Sequence, residues 1–534
     1  MRDRPGTILA AAGLAKVAAS GQAMAPPLKI LFATSEAMPF AKTGGLADVA
    51  GSLPRSLRAL GHDVRLVLPL HRAVRQKLGA GAIADTGLSF DVPLGDRGAV
   101  QARIRAAEAP GGVSVLLVEC DRYFDREGLY GTAKGDHEDN AERFILFSRV
   151  VVELGLLLGA REGRAFDVFH VHDWQTALVP VYLRTLHADR PGAARIGTLL
   201  TIHNLAYQGL FWHWDLKLTG LDWSLFTPER LEFYGKLGFL KGGIIYADAI
   251  NTVSKTYAKE ILTAELGYGL DGVLRARQAD LHGILNGADY DTWNPETDPH
   301  LPARYGPGNL AGKAACKEAL QREFDLAVDA NAPAIGMVAR LDPQKGIDIL
   351  AGALDEVLAL GVQVAILGTG EDRYHRLLSE LSEQYRGRLS VKLRFDERIA
   401  HEIEAGADMF LMPSRFEPCG QNQLYSLRYG TVPIVRATGG LADTVIDAGA
   451  KNGDPNGFTF VEYSSAALAQ AVARAVALFG DKRKWRKLVA TGMAQDWSWA
   501  PSAREYEALY ARLVEKRSRP QAAPGGAPPV GGTA

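Results

Sequence analysis

The sequence predicts an α/β protein with two doubly wound domains. Its 534 residues are too many for one ordinary core. In the first half of the chain, short apolar strands alternate with amphipathic helices, a pattern that predicts a parallel sheet with helices on both faces. After a loop-rich section at residues 285–310, a second alternating set begins. We therefore expect two Rossmann-like domains facing each other across a deep cleft, because ligands bind at the carboxyl ends of the strands in such sheets.

The first domain is predicted from residue 29 to residue 262. A strand in LKILFATSE, a helix in GGLADVAGSLPRSLRALG and a strand in DVRLVLPL form a βαβ unit. Further strands are predicted in VSVLLVE, FDVFHVH, IGTLLTIH and ADAINTVS.

The second domain, including the linker, is predicted at residues 263–497. Its strands are expected in APAIGMVAR, VQVAILG, LSVKLRF, ADMFLMPS and TVPIVRA. Residues 1–28 are alanine-rich, but Asp3 and Lys16 interrupt what would otherwise read as a secretory signal, so we expect a flexible extension. Residues 518–534 are rich in Pro, Gly and Ala, which predicts a disordered tail.

The overall composition excludes several classes of partner. Formal net charge is −1, with 60 basic and 61 acidic residues, so no general field attracts nucleic acid or an anionic membrane. The three cysteines are far apart and odd in number, which argues against a disulfide framework and favours a reducing cytoplasm. Apolar stretches fall short of the roughly 20 residues that a membrane helix needs. A soluble cytoplasmic protein is expected.

The first predicted strand is followed by the motif KTGG at residues 42–45. Gly44 and Gly45 allow close approach of the backbone, the next helix presents free amides, and Lys42 adds a positive charge. This combination suits a phosphate. Taken alone, the motif is also compatible with a glycine turn that merely lets the helix pack on the strand, with Lys42 solvated.

Two other strands of the first domain end in polar side chains. His172 ends FDVFHVH, where a histidine can donate a hydrogen bond to a substrate hydroxyl or carbonyl. A core histidine with a backbone partner is the alternative. Asn204 and Tyr207, in TIHNLAYQG, can hydrogen-bond to a sugar ring and stack on it.

In the second domain, charged residues follow two predicted strands. Arg340 and Lys345, in RLDPQKG, are two cations without a nearby acidic cluster, which suits a pyrophosphate neutralised without metal. Two solvated loop charges are the alternative. Glu417 follows the apolar run at residues 409–412 and is expected to be held at a strand end.

Seven motifs together resemble the glycogen and starch synthase family, in particular its bacterial glycogen synthases of the ADP-glucose type. They occur in that family's order: KTGGLADVAGSLP, HDWQT, TIHNLAYQG, GILNGADYDTWNP, RLDPQKG, SRFEPCG and RATGGLADTV. The similarity covers about residues 29–517. It implies the GT-B fold, with a final helix at residues 498–517 returning to the first domain. It also implies retaining transfer of glucose from ADP-glucose to the nonreducing end of glycogen or another α-1,4-glucan, without a metal or other cofactor.

The strand-end residues and the resemblance together give the predicted site residues. The catalytic set is Glu417, His172, Arg340 and Lys345. The substrate-binding set is Lys42, Gly44, Gly45, Asp48, Asn204, Tyr207, Phe395, Cys419, Gly420, Gln421 and Asn422. Phe395 stands where relatives stack an aromatic ring on adenine. Gln421 stands where many relatives have Leu, a departure that bears on donor or acceptor preference.

Two alternatives to this function remain from the sequence. Another GT-B glycosyltransferase, using UDP-glucose or a different acceptor, shares the fold and the basic pair. A catalytically silent glucan-binding protein shares the fold but has no need of the catalytic set. A dinucleotide oxidoreductase is disfavoured because no GxGxxG motif with a following acidic residue comes after the first strand. The sequence predicts no oligomeric state.

Overall fold

The structure is a computed structural model that describes residues 26–132 and 134–519. Most of the predicted extension at 1–28 lies outside the described residues, and so does the predicted tail, apart from residues 518 and 519.

The first part of the chain alternates strands and helices. Its strands are β1 (Lys29–Ala33), β2 (Asp63–Pro69), β3 (Ala84–Pro93), β4 (Ala99–Ala109), β5 (Val113–Glu119), β6 (Gly131–Thr132), β7 (Gly135–Asp136), β8 (Val168–His172), β9 (Gly197–Ile202), β10 (Leu210–Trp212), β11 (Glu232–Phe233), β12 (Lys236–Gly238), β13 (Ala249–Thr252) and β14 (Leu281–Gly283). Its helices are α1 (Gly45–Ala59), α2 (Arg72–Leu78), α3 (Asp121–Phe124), α4 (Asn140–Arg161), α5 (Asp173–Thr176), α6 (Leu178–Arg184), α7 (Leu216–Thr219), α8 (Phe239–Tyr246), α9 (Lys255–Glu260) and α10 (Asp271–Ala276).

The second part repeats the alternation. Its strands are β15 (Ala334–Leu341), β16 (Gln363–Gly370), β17 (Leu389–Lys392), β18 (Met409–Met412), β19 (Val432–Arg436) and β20 (Phe458–Phe460). Its helices are α11 (Ala311–Glu323), α12 (Ile347–Ala359), α13 (Asp372–Gln384), α14 (Glu397–Gly406), α15 (Asn422–Arg428), α16 (Gly439–Thr444), α17 (Ser465–Gly480), α18 (Lys482–Ala494) and α19 (Trp499–Ser518).

Two main sheets form the centres of the two domains. The first has the order β14-β13-β9-β8-β1-β2-β5-β4-β3, and the second β17-β16-β15-β18-β19-β20. The strands predicted from the sequence are present in both. The expectation of a wholly parallel first sheet was wrong at one edge, where β4 runs antiparallel to β5 and to β3. Because β14 pairs with β13, the first sheet continues past the predicted boundary at residue 262, and we propose that the first domain extends to Gly283.

Helices cover both faces of each sheet. In the first domain, α4, α6 and α8 pack on one face, and α1 and α19 pack on the other. In the second domain, α12, α17 and α18 cover one face, and α11 and α14 cover the other. The parallel strands are therefore buried on both faces, which explains their continuous apolar runs. Among the described helices, none is both long and apolar enough to span a membrane.

The chain crosses between the domains twice, and the two crossings are hydrogen-bonded to each other. The Ala288 amide donates to the Trp497 carbonyl at 2.7 Å, and the Trp497 amide donates to the Tyr290 hydroxyl at 3.0 Å. A Cβ added at Gly287 would lie 2.5 Å from the Cα of Trp499, so glycine is required for this close approach. We call this pair of segments, residues 287–290 and 497–499, the strap. Beyond it, α19 packs on the first sheet, at the place of the helix predicted at 498–517.

Candidate active site

Glu417 lies beyond the carboxyl end of β18, in the turn that leads to α15. Its buried carboxylate accepts hydrogen bonds through Oε2 from Lys345 Nζ at 2.6 Å and from Ser414 Oγ at 3.0 Å. Lys345 comes from the loop after β15. This loop packs against Pro413 because Gly346 adopts the left-handed region, with φ 72°. Two strand-end loops that lie far apart in the sequence therefore meet as a carboxylate–ammonium pair.

Arg340, at the end of β15, lies beside this pair. Its guanidinium is half-exposed and 3.7 Å from the Asp342 carboxylate. Burial acts to lower the pKa of Arg340, but the neighbouring Tyr207, Asp342 and Glu417 outweigh burial, and the pKa is raised. The guanidinium thus stays charged close both to Glu417 and to Tyr207 of the first domain.

Side chains of the two domains contact each other at the cleft. The Asn204 amide, after β9, donates to Gln344 Oε1 at 3.4 Å. The rings of Tyr268 and Phe416 lie 6.0 Å apart, with Tyr268 contributed by the first domain. The first contact joins the TIHNLAYQG loop to the RLDPQKG loop, and the second joins Tyr268 to the SRFEPCG loop, as expected for strand ends that face each other.

The KTGG loop leads into the N-terminus of α1. Among the described residues, no atom lies within 4 Å of a Cβ built at Gly44 or Gly45. Packing of the helix on the strand therefore does not require glycine at either position, which argues against the purely structural explanation. Lys42 is paired rather than free in solvent, because its Nζ lies 2.7 Å from Asp48 Oδ1. Burial raises the pKa of Asp48, and Lys42 opposes that shift.

The residues after Glu417 form the turn into α15 and its first residue, Asn422. Burial raises the pKa of the Cys419 thiol to about 12, so the thiol is neutral. Gly420 has φ 72°, a conformation that favours glycine. Gln421 directly precedes the helix. The Asn422 amide donates to the Val338 carbonyl at 2.8 Å, so this side chain ties α15 to β15.

Phe395 stands in the loop between β17 and α14, with 79% of its surface exposed. An exposed phenyl ring offers a free face for stacking. Within the described ranges, no group of three or more His, Cys, Asp or Glu side chains is arranged to hold a metal ion.

Comparison with known proteins places the chain in a family. A family model described as starch synthase catalytic domain matches residues 29–276, and one described as glycosyl transferases group 1 matches residues 321–487. Glycogen synthases from Koribacter versatilis and Anaeromyxobacter dehalogenans are 47% and 50% identical over 92% and 91% of this chain, and the matches cover 99% and 100% of those proteins. The chain belongs to the glycogen synthase family.

Solved structures agree with this membership of the glycogen synthase family. The catalytic domain of starch synthase IV from Arabidopsis thaliana superposes with a TM-score of 0.82, at 34% identity, covering 92% of this chain and all of that one. Sucrose-phosphate synthase from Thermosynechococcus elongatus, at 18% identity and a TM-score of 0.56, shares the fold. The enzyme is a glycosyltransferase of the GT-B fold, as the sequence motifs implied.

The predicted His172 ends β8, and its Nε2 has no hydrogen-bond partner among the described residues. Its side chain has no exposed surface, and burial lowers its pKa well below the ordinary value. Its Nδ1 lies 3.0 Å from Nε2 of His203, a residue that sequence reasoning did not select and that keeps 9% of its surface exposed. The His203 amide donates to Asp173 Oδ1 at 2.7 Å. We propose that His203 orients His172 for the substrate contact predicted from the sequence.

Asp173, which follows His172, and Glu36, which contacts the KTGG loop, are two further acids outside the predicted set of site residues. Asp173 has φ 52°, which is uncommon for a residue other than glycine and marks a constrained turn. The Glu36 carboxylate accepts hydrogen bonds from the amide and hydroxyl of Thr43 and so fixes the KTGG loop. Burial raises the pKa of both carboxyls to about 7. The positive φ of Asp173 gives no signal in the sequence. Glu36, in contrast, follows the first strand, so the strand-end rule that selected Glu417 could have selected it too.

The raised pKa of Glu36 predicts a pH dependence of stability. The folded protein holds this proton more tightly than the unfolded chain, whose glutamate has the ordinary value of 4.5. The stability from protonated Glu36 is therefore fully present below about pH 4.5 and lost as pH rises through about 7. We expect the melting temperature of Glu36→Gln to fall less over this range than that of the unmodified protein. From pH 5 to pH 8, the free energy of unfolding of the unmodified protein should fall by on the order of 2 kcal/mol more than that of the variant. Parallel melting curves for both proteins from pH 5 to pH 8 would contradict this.

Proposed function

We propose that the enzyme transfers glucose from ADP-glucose to the nonreducing end of an α-1,4-glucan, with retention of the anomeric configuration and release of ADP. The observation that carries this proposal is the Glu417–Lys345 pair beside Arg340. Glycosyl transfer develops positive charge at the sugar and negative charge on the leaving phosphate. The carboxylate can stabilise the positive charge at the sugar, and the two cations can stabilise the negative charge on the phosphate, all from fixed positions.

Each of these groups has a separate task in the proposed reaction. Glu417 stabilises the transferring glucose. Lys345 has three N–H donors, so it can keep its bond to Glu417 while it donates to a phosphate oxygen. Arg340 presents a planar fork suited to a second pair of phosphate oxygens. Amides at the start of α1, after the open glycines of KTGG, complete the cradle for the diphosphate.

An adenine nucleotide is supported by two observations. Phe395 offers an exposed ring in the loop after β17. The starch synthase IV structure is described as bound to ADP and acarbose. UDP-glucose is the competing donor, and initial rates with glycogen and each donor decide between them. A cytoplasmic location stays a prediction.

The first prediction for this reaction concerns the donor. We expect ADP-glucose to be preferred over UDP-glucose by at least about tenfold in kcat/KM, which corresponds to roughly 1.4 kcal/mol. The physical reason is stacking of adenine on Phe395, so Phe395→Ala is expected to narrow the preference. Equal or faster transfer from UDP-glucose by the unmodified enzyme would overturn the donor assignment.

The second prediction is independence from divalent metal. Lys345 and Arg340 carry the positive charge that a metal ion supplies in other phosphate-transfer sites. Enzyme treated with a chelator and then desalted should keep its full initial rate. A rate that disappears on treatment and returns with magnesium or manganese would mean that the two cations do not suffice.

A further inference from the structure

Three tryptophans lie together on the surface of the first domain. Trp212, Trp214 and Trp223, here called the tryptophan patch, are 64%, 43% and 42% exposed. The rings of Trp212 and Trp214 lie 6.2 Å apart, and those of Trp214 and Trp223 lie 5.3 Å apart. Contiguous apolar surface of this kind marks a binding site more often than a scattered exposed residue does.

A cavity of about 370 Å³ opens beside the tryptophan patch. This volume lies within the range of roughly 300–1,000 Å³ typical of small-molecule sites. Two indoles, four charged side chains and one leucine line it: Trp212, Trp214, Asp96, Asp215, Arg97, Lys217 and Leu218. Lys217 Nζ lies 4.3 Å from the centre of the Trp214 ring.

The chemistry of the cavity favours a neutral ligand with many hydroxyl groups. Two carboxylates and two cations balance each other, so the site attracts neither an anion nor a cation through net charge. Carboxylates accept hydrogen bonds from hydroxyls, and the guanidinium and ammonium groups donate to them. Indoles stack against the apolar face of a sugar ring, which adds contact area without charge.

The tryptophan patch is connected to the cleft by a short stretch of chain. Tyr207 lies beside Arg340 at the cleft, and β10 carries the chain from there to Trp212. Residues 207 to 212 span at most roughly 18 Å even when fully extended. Phe211 fixes this segment, because its ring packs 5.6 Å from that of Trp174. A polymer whose end occupies the cleft can therefore reach the patch.

We propose that the tryptophan patch and its cavity form a second binding site for α-glucan, separate from the catalytic cleft. The choice of α-glucan rests on the proposed function, since the acceptor in the cleft is that polymer. The site holds one branch or segment of the polymer while the cleft extends an end. Holding the polymer raises the effective concentration of acceptor ends at the cleft.

The double variant Trp212→Ala/Trp214→Ala tests the site. Electrophoresis of the full chain through gels containing glycogen reports binding without any need for transfer. We expect the unmodified enzyme to be retarded and the double variant to lose most of that retardation. Its apparent KM for glycogen should rise roughly tenfold, because the tether is lost. Its kcat and KM with a short maltooligosaccharide and its KM for ADP-glucose should stay unchanged.

Matched controls separate recognition from folding. Trp212→Phe/Trp214→Phe keeps stacking rings and should keep the retardation. Val328→Ala removes a similarly exposed apolar side chain from the second domain and should have no effect. Melting temperatures of all variants establish that they fold.

Several outcomes would overturn the proposed site. The first is that the double variant and the unmodified enzyme are retarded equally. The second is that a β-linked glucan retards the unmodified enzyme as much as glycogen does. The third is that the double variant loses self-association but binds glycogen as before. The last result would assign the patch to contact between two copies of the chain. If no donor supports transfer, the proposed function fails, yet the glycogen gel still decides whether the patch binds.

Discussion

Replacing Glu417 by alanine is expected to lower kcat by on the order of 10² or more while the fold persists. The physical reason is that its carboxylate stabilises charge and hydroxyl contacts that are made mainly in the transition state. Donor binding, measured by equilibrium titration with ADP-glucose, should change far less. Glu417→Gln keeps the shape of the side chain but removes the charge, so we expect a similar loss of turnover.

The competing explanation for Glu417 is a structural carboxylate that caps α15. That role predicts a loss of about 1 kcal/mol in stability with near-normal turnover in the folded fraction. In the structure, the carboxylate accepts from Lys345 and Ser414. Ser414→Ala is a matched control that removes a hydrogen bond and leaves both charges in place, so its effect on kcat should be much smaller. An alanine variant at Glu417 that melts early yet turns over normally would establish the cap.

Gly45→Ala is expected to reduce kcat/KM for the donor by on the order of 10² without weakening the fold. No described atom lies within 4 Å of the added Cβ, so the methyl group would occupy open space at the loop where we propose that the diphosphate binds. Alanine also favours helix over glycine by about 1 kcal/mol, so the melting temperature should stay the same or rise. A packing defect would lower the melting temperature as well as the activity. A variant that stays stable while its kcat/KM falls is therefore not explained by a packing defect.

The control for Gly45 is a glycine of the second domain whose added Cβ would also meet open space. Gly480, the last residue of α17, also has no described atom within 4 Å of an added Cβ. Gly480→Ala should leave donor kinetics unchanged. Normal donor kinetics in Gly45→Ala would show that phosphate does not approach this loop, and the KTGG assignment would then fail.

The sequence predicted the parallel strands well because their burial has a direct local signature. Strands such as β1 and β18 are buried along their whole length, and they read as continuous apolar runs. β3 was missed because it is an edge strand whose residues are mostly exposed, so it lacks such a run. At the opposite edge of the sheet, the short strand β14 has three half-buried residues and gives no clear pattern either.

For a related reason, the sequence predicted the positions of site residues better than it predicted their burial. The strand-end rule placed Arg340 and Glu417 at the correct edge of the second sheet, because it depends on topology alone. The depth of a side chain depends on neighbours from distant parts of the chain. His172 is covered by the Phe32 ring at 4.2 Å and contacts His203, and neither neighbour is adjacent in the sequence.

The strap limits how the cleft of this enzyme can change shape. Two independent connections would permit the domains to twist, slide and rotate separately. Because residues 287–290 and 497–499 are hydrogen-bonded side by side, both connections bend at one place. We therefore expect opening and closing of the cleft to occur mainly as a rotation about an axis through the strap. Such a rotation would separate Lys345 from the KTGG loop, and reclosure would return Lys345 and Arg340 to the proposed diphosphate site.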